Sequence, residues 1–237
     1  RVEDSERTKD FEALREKYDT VYRILIEVYG RPERGTPGPA LNELVGTILS
    51  QATTDANTDR AYAELVARFP DWKSVMDAPP EEVIAAIRSA GLANTKGPRI
   101  QAALRAIYQE RGELSLDFLA DMPVPEAMAW LTRLKGVGPK TASIILLFSF
   151  GRAVFPVDTH VHRVTGRLGL IPPRMSANQA HEFLAALGAP ETYYPMHINL
   201  IRHGREICHA RSPQCQICPL QDYCDYYHNV FLGAADG

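Results

Sequence analysis

Apolar residues recur at three- and four-residue intervals along most of this chain, and no stretch sustains an alternation of apolar and polar positions. The first register runs through Phe11, Leu14, Tyr18, Val21, Tyr22, Leu25 and Tyr29, which predicts one long amphipathic helix over 8–29. A run rich in Gly and Pro over 30–39 breaks that pattern and marks a candidate boundary. Further helical registers cover 41–49, 56–69, 81–90, 98–111 and 125–134, each bounded by Gly or Pro. They resume at 141–150, 159–168, 178–187 and 191–207. The predicted class is therefore all-α. Residues 141–150 are apolar around nearly the whole circumference, so this helix is expected inside a core rather than on a surface.

With 237 residues the chain can bury one large core or two small ones. The longest apolar run, 144–148, is far short of a bilayer span. The polar start Arg1-Val2-Glu3-Asp4 lacks an initiator methionine, so no signal peptide and a trimmed beginning are expected. The expected location is cytoplasmic, and nucleoid-associated if the source is bacterial. A net charge of −3 argues against a generally adhesive nucleic-acid surface, but the charge is unevenly spread. Residues 134–211 hold nine basic and four acidic side chains, while 212–237 hold none and three. A basic face on a mildly acidic protein suits local contact with a phosphate backbone.

The stretch Leu134-Lys135-Gly136-Val137-Gly138-Pro139-Lys140-Thr141-Ala142 concentrates the candidate chemistry. Gly136, Val137 and Gly138 are expected to close a tight hairpin that turns backbone N–H groups outward beside a helix start, a setting for a phosphate oxygen. Glycine also removes the Cβ that would hold a phosphodiester at a distance. The plainer alternative is a simple turn between two helices. Lys140 tips the balance, because a cation in the first turn of a helix opposes the macrodipole. That dipole and partial burial both disfavour the ammonium form, and a neutral amine can attack an electrophilic sugar or carbonyl carbon to form a Schiff base. Further on, Asp158 stands at the start of another helical register, where it serves either as N-cap or as the lysine's partner. His160 and His162 follow two positions apart and point to different helix faces, which makes them poor joint ligands.

All four cysteines fall in one short segment, Cys208, Cys215, Cys218 and Cys224. In a soluble intracellular chain such grouping indicates metal thiolate ligation rather than disulfides. Spacing alone leaves zinc and iron–sulfur both open, although zinc ribbons usually pair two C-x2-C units and one is present here. Arg202, Arg205 and Arg211 surround the segment and are expected to present a basic surface.

Leu-x-Gly-Val-Gly-x-Lys-Thr-Ala, followed by Val157-Asp158-Thr159-His160, resembles the helix-hairpin-helix DNA glycosylases, specifically the endonuclease III family. The resemblance extends to residues 48–55, to Gly91-Leu92-Ala93-Asn94-Thr95-Lys96 and to the cysteine segment, covering roughly 40–226. It implies a domain of six helices over 38–152, and a second helical domain formed by 1–37 with 153–237. It implies a 4Fe-4S cluster on the four cysteines, Lys140 as nucleophile and Asp158 as its essential partner. Gln51, Ala52 and Leu92 would enter damaged double-stranded DNA, Gly136, Val137 and Gly138 would bind its backbone, and Ser50, Asp55 and His160 would line the pocket. Where the family commonly has glutamine this chain has Ala52, Ala93 replaces a bulkier residue, and Lys135 and Pro139 replace a proline and an arginine. The implied activity is a monomeric glycosylase and abasic-site lyase excising oxidised pyrimidines. Rival readings are a monofunctional mismatch glycosylase and a non-enzymatic iron–sulfur DNA-binding module.

Overall fold

The computed structural model describes the backbone of residues 2–235 and, among them, contains helices and no strand. In chain order the helices are α1 (Val2–Tyr29), α2 (Ala40–Ser50), α3 (Asp55–Arg68), α4 (Trp72–Asp77), α5 (Pro80–Ala86) and α6 (Ala93–Arg111). They continue as α7 (Val124–Thr132), α8 (Pro139–Ile144), α9 (Thr159–Leu168), α10 (Ala177–Leu187), α11 (Tyr193–Glu206) and α12 (Leu232–Ala235). The expected polar start at Arg1 lies outside the described residues.

Local chemistry sets many of these ends. Thr54, Asp71 and Asp158 each accept a hydrogen bond from a backbone N–H in the first turn of α3, α4 and α9, at 3.2, 2.7 and 2.7 Å. Ser176 and Gln179 close a reciprocal capping box at the start of α10. Three expectations change. Six-residue α4 was missed, because so short a helix shows no periodicity. Helix α6 begins before Pro98, since its polar first turn carries no apolar register. The registers over 81–90, 141–150 and 191–207 each break into two pieces. A 3-10 turn at Arg88–Ala90 follows α5, a π-helical turn at Ile145–Ser149 follows α8, and a 3-10 turn at Pro190–Thr192 precedes α11.

Contacts divide the chain into two units, Thr36–Arg152 and Arg1–Gly35 with Ala153–Gly237. In the 36–152 unit, α2 is the hub: Leu41, Leu44, Val45, Ile48 and Leu49 are buried against α3, α6, α8 and the π-helical turn. Each such side chain contributes roughly 1.5–3 kcal/mol by leaving water. The expected burial of 141–150 holds for Thr141, Ala142, Ser143, Ile145, Leu146 and Leu147. In the other unit α1 packs on α10 and α11 through Tyr18, Val21 and Leu25, and α9 packs on α11. Gly188 is required there, since a Cβ would collide with the Tyr18 ring.

Candidate active site

The turn between α7 and α8 is built on Gly136, whose φ of +84° lies in the left-handed region. A Cβ at Gly136 would also press on the Arg99 side chain at 3.0 Å. Gly138 differs from expectation. Its φ is −96°, which any residue adopts, and a Cβ there would meet nothing within 4 Å. Its contribution is open space beside the backbone rather than conformational freedom. Val137 is buried and donates its N–H to Leu134 O at 3.0 Å, which pins the turn to the core. Lys140 follows in the first turn of α8 and is exposed, so the partial burial expected for its amine is absent.

One loop of the same unit bonds this hairpin, and a second is tied to the first through Lys96. Gln51, at the C-cap of α2, donates its side-chain amide to Gly136 O at 3.2 Å, and its Oε1 accepts from Arg99 Nη1 at 3.4 Å. The next residue, Ala52, is exposed with φ +52°. Ser50 is half-buried and donates to Thr47 O at 2.8 Å, while Asp55 is exposed at the start of α3. In the second loop Leu92 precedes α6 with φ +50° and keeps 62% of its surface exposed. Left-handed backbone at a non-glycine residue costs of order 1–3 kcal/mol and clusters at functional sites. Between the two loops lies Lys96, 1% exposed, donating to Leu49 O at 2.8 Å and Ala90 O at 2.9 Å. Burial pushes its amine's pKa down.

Asp158 belongs to the other unit and caps α9, its Oδ1 accepting from Val161 N at 2.7 Å. The same helix carries His160, Arg163 and Arg167 along one face. Arg163 donates to Cys208 O at 3.0 Å and Gly204 O at 2.9 Å, and its Nη2 meets His160 Nδ1 at 3.0 Å. Arg167 reaches Cys208 Sγ at 3.3 Å, His209 O at 2.7 Å and Ala210 O at 3.0 Å. His162 turns away and bonds Met175 O at 2.7 Å. The arginines that hold the cysteine segment are therefore Arg163 and Arg167. Arg202, one of the three expected to form a basic surface around it, is exposed and pairs with Glu206 at 2.9 Å.

Cys208, Cys215, Cys218 and Cys224 line one cavity together with Val164, Leu168 and Ile207. Burial, joined by repulsion between neighbouring thiolates, pushes the Cys215, Cys218 and Cys224 thiols up, Cys218 to about 11. Four gathered thiols, three of them pushed up in this way, suit a cationic metal core that neutralises thiolate charge. Nitrogen donors are already in place around them. Tyr29 hydroxyl and His203 Nδ1 share a hydrogen bond at 2.9 Å, His203 Nε2 faces Cys218 Sγ at 3.4 Å, and Arg167 faces Cys208. The residues fit a 4Fe-4S cube bound by four thiolates.

Lys96, Arg99, Tyr29, Arg163, Arg167 and His203 were all missed from sequence. A signal existed for Lys96, which falls on the stripe Ile100, Ala103, Leu104 and Ile107 that α6 buries. No local spacing pointed to the others, whose partners lie far away along the chain.

A helical fold with a glycine hairpin, a lysine directly behind it and a four-cysteine segment defines a helix-hairpin-helix DNA repair protein. Residues 45–190 match the family described as HhH-GPD superfamily base excision DNA repair protein, and residues 208–224 match the iron-sulfur binding domain of endonuclease III. A putative DNA glycosylase of Arabidopsis thaliana is 34% identical over 230 residues, spanning 93% of this chain and 77% of the relative. Endonuclease III of Sulfolobus acidocaldarius is 32% identical over 218 residues, spanning 90% and 93%. A solved structure of a trapped endonuclease III–DNA covalent intermediate superposes with a TM-score of 0.78 at 27% identity, covering 92% of this chain and 98% of that one. The chain belongs to the HhH-GPD superfamily and, within it, to the endonuclease III family of base excision repair DNA glycosylases and abasic-site lyases, which carry a 4Fe-4S cluster.

Proposed function

We propose that this protein acts as a monomer on double-stranded DNA, removes oxidised pyrimidines and then cuts the strand, with Lys140 as nucleophile and Asp158 as its partner. The observation that carries the reading is Lys140 itself, an exposed amine fixed behind the Gly136 turn at the head of a buried helix. The related endonuclease III structure, trapped covalently on DNA, supports a covalent route. A base inside the stack cannot be reached, so the damaged nucleotide must rotate out of the duplex. Leu92 and the 50–54 loop fill the space it leaves, and the open backbone at Gly138 admits a phosphate closely.

The Lys140 Nζ lone pair forms a bond to C1′ as the bond from C1′ to the base breaks, and the departing base takes the electron pair and a proton from water. The ionised Asp158 carboxylate stabilises positive charge developing on the sugar and accepts a proton from the attacking amine. The C1′–O4′ bond then breaks, O4′ taking the proton that Asp158 accepted, and C1′ is left joined to Lys140 as an iminium. Removal of a C2′ proton then expels the 3′ phosphate by β-elimination, and water hydrolyses the imine to restore the lysine. Cys208, Cys215, Cys218 and Cys224 would hold the cluster, which when bound neutralises the thiolates and cross-links the C-terminal segment.

Lys140→Gln is expected to bind damaged DNA normally yet lose borohydride trapping and strand cleavage by roughly three orders of magnitude or more. Normal trapping in that variant would exclude the assignment. Asp158→Asn keeps an amide able to cap α9, so a large fall in base release with unchanged melting would separate its chemical role from its capping role.

A further inference from the structure

Lys96 is among the largest fully buried side chains of the protein, yet it is a cation. Its Nζ lies on two helix-terminal carbonyls, Leu49 O in the last turn of α2 and Ala90 O at the end of the 3-10 turn. Helix C-termini carry partial negative charge and unsatisfied carbonyls, so one ammonium serves both ends. These two ends are the roots of the two loops described above. Ala52 follows Leu49 closely and Leu92 follows Ala90, and both adopt left-handed backbone, at φ +52° and +50°. Neither is glycine, and such conformations persist only where surrounding bonds over-determine them. The backbone of Lys96 adds a further tie, its N–H bonding Leu92 O at 2.9 Å. One residue thus closes a ring around Gly91 and Leu92 and ties that ring to the root of the Gln51–Ala52 loop.

We propose that Lys96 is a positioning residue that holds the 50–54 and 91–93 loops in register, so that Ala52 and Leu92 enter a duplex together. This rests on the reading that those loops probe DNA. It assigns to the amine no contact with substrate. A methionine would fill the same volume and leave both carbonyls without their donor, loosening the two loop roots while sparing Lys140, which lies on a different helix.

The test compares Lys96→Met with the parent on two substrates. One is a duplex carrying a paired oxidised pyrimidine with 2-aminopurine opposite, which fluoresces when unstacked. The other is a single-stranded abasic oligonucleotide trapped with borohydride. On the duplex, excision and the 2-aminopurine rise are expected to fall by roughly tenfold to a hundredfold, the scale of a small misplacement. Trapping on the single strand, where nothing must be opened, is expected to stay within about twofold of the parent. Equal losses on both substrates, or no loss on either, overturn the proposal. Lys96→Gln, which keeps amide donors, covers the case of a Met variant that does not fold. It should show the same preference for the single strand in milder form, and equal losses there overturn the proposal too. A parent that fails to excise from the duplex while trapping the abasic strand would instead sink the loop-probing reading, so the two failures are distinct.

Discussion

The two units solve one problem with the same device and different completeness. In the 36–152 unit the orphan carbonyls at two helix ends are met by Lys96, and Arg152 does likewise for Leu119 O and Ala120 O at 2.9 and 2.8 Å. In the other unit Arg163 and Arg167 meet the carbonyls of Gly204, Cys208, His209 and Ala210. The first arrangement is finished by the polypeptide alone. The second surrounds four thiols, three of which burial pushes up, so it is finished only when iron supplies the positive charge. The 50–54 and 91–93 loops are thereby built on a scaffold that needs no cofactor, while the helix carrying Asp158 is anchored along one face to a segment that does.

Removing iron should break this comparison most visibly. Chelation under reducing conditions is expected to abolish amide protection over 204–228, while α2 and α6 keep theirs; unchanged exchange across the cysteines would show that the segment is finished without metal. A smaller effect is expected from Arg167→Met, which removes the donor to Cys208 Sγ and to two carbonyls. Losing such charge-assisted bonds should cost about 1.5–3 kcal/mol of local stability, read as faster bleaching of the cluster's visible absorbance by a chelator.

The mildest test uses acid. All seven histidines lie beyond residue 159, so the 36–152 unit has none. Burial pushes the His181 imidazole down while its Nδ1 bonds Phe155 O at 2.8 Å. The unfolded chain therefore binds a proton in the ordinary imidazole range before the folded form does. Stability is full above that range and falls as pH drops through it. In the 36–152 unit burial raises the Glu43 carboxyl, which has the opposite sign, because the folded form then holds the proton more tightly than the unfolded chain. Mild acidification should therefore lower exchange protection in α9–α11 and not in α2, and His181→Gln should reduce that slope. Equal acid sensitivity of both units would contradict the assignment.

What the sequence alone determined was whatever depends on neighbours along the chain. Helical registers, the Asp158 cap, the glycine turn over 136–138 and the cysteine spacing are all written in short windows, because helix geometry and turn conformation are set within a few residues. Charge segregation and the lysine behind the hairpin were legible for the same reason. What tertiary structure decided is where distant groups meet. It made Lys140 exposed rather than half-buried, and it brought Arg163 and Arg167, which no spacing marked, onto the cysteine segment. It bent the end of 141–150 into a π-helical turn and drove Ala52 and Leu92 into left-handed backbone. Most of all it placed a lysine from α6 on carbonyls before two separate loops. No local propensity encodes such a contact, because it exists only once the α2 and 3-10 ends have been packed against the same side chain.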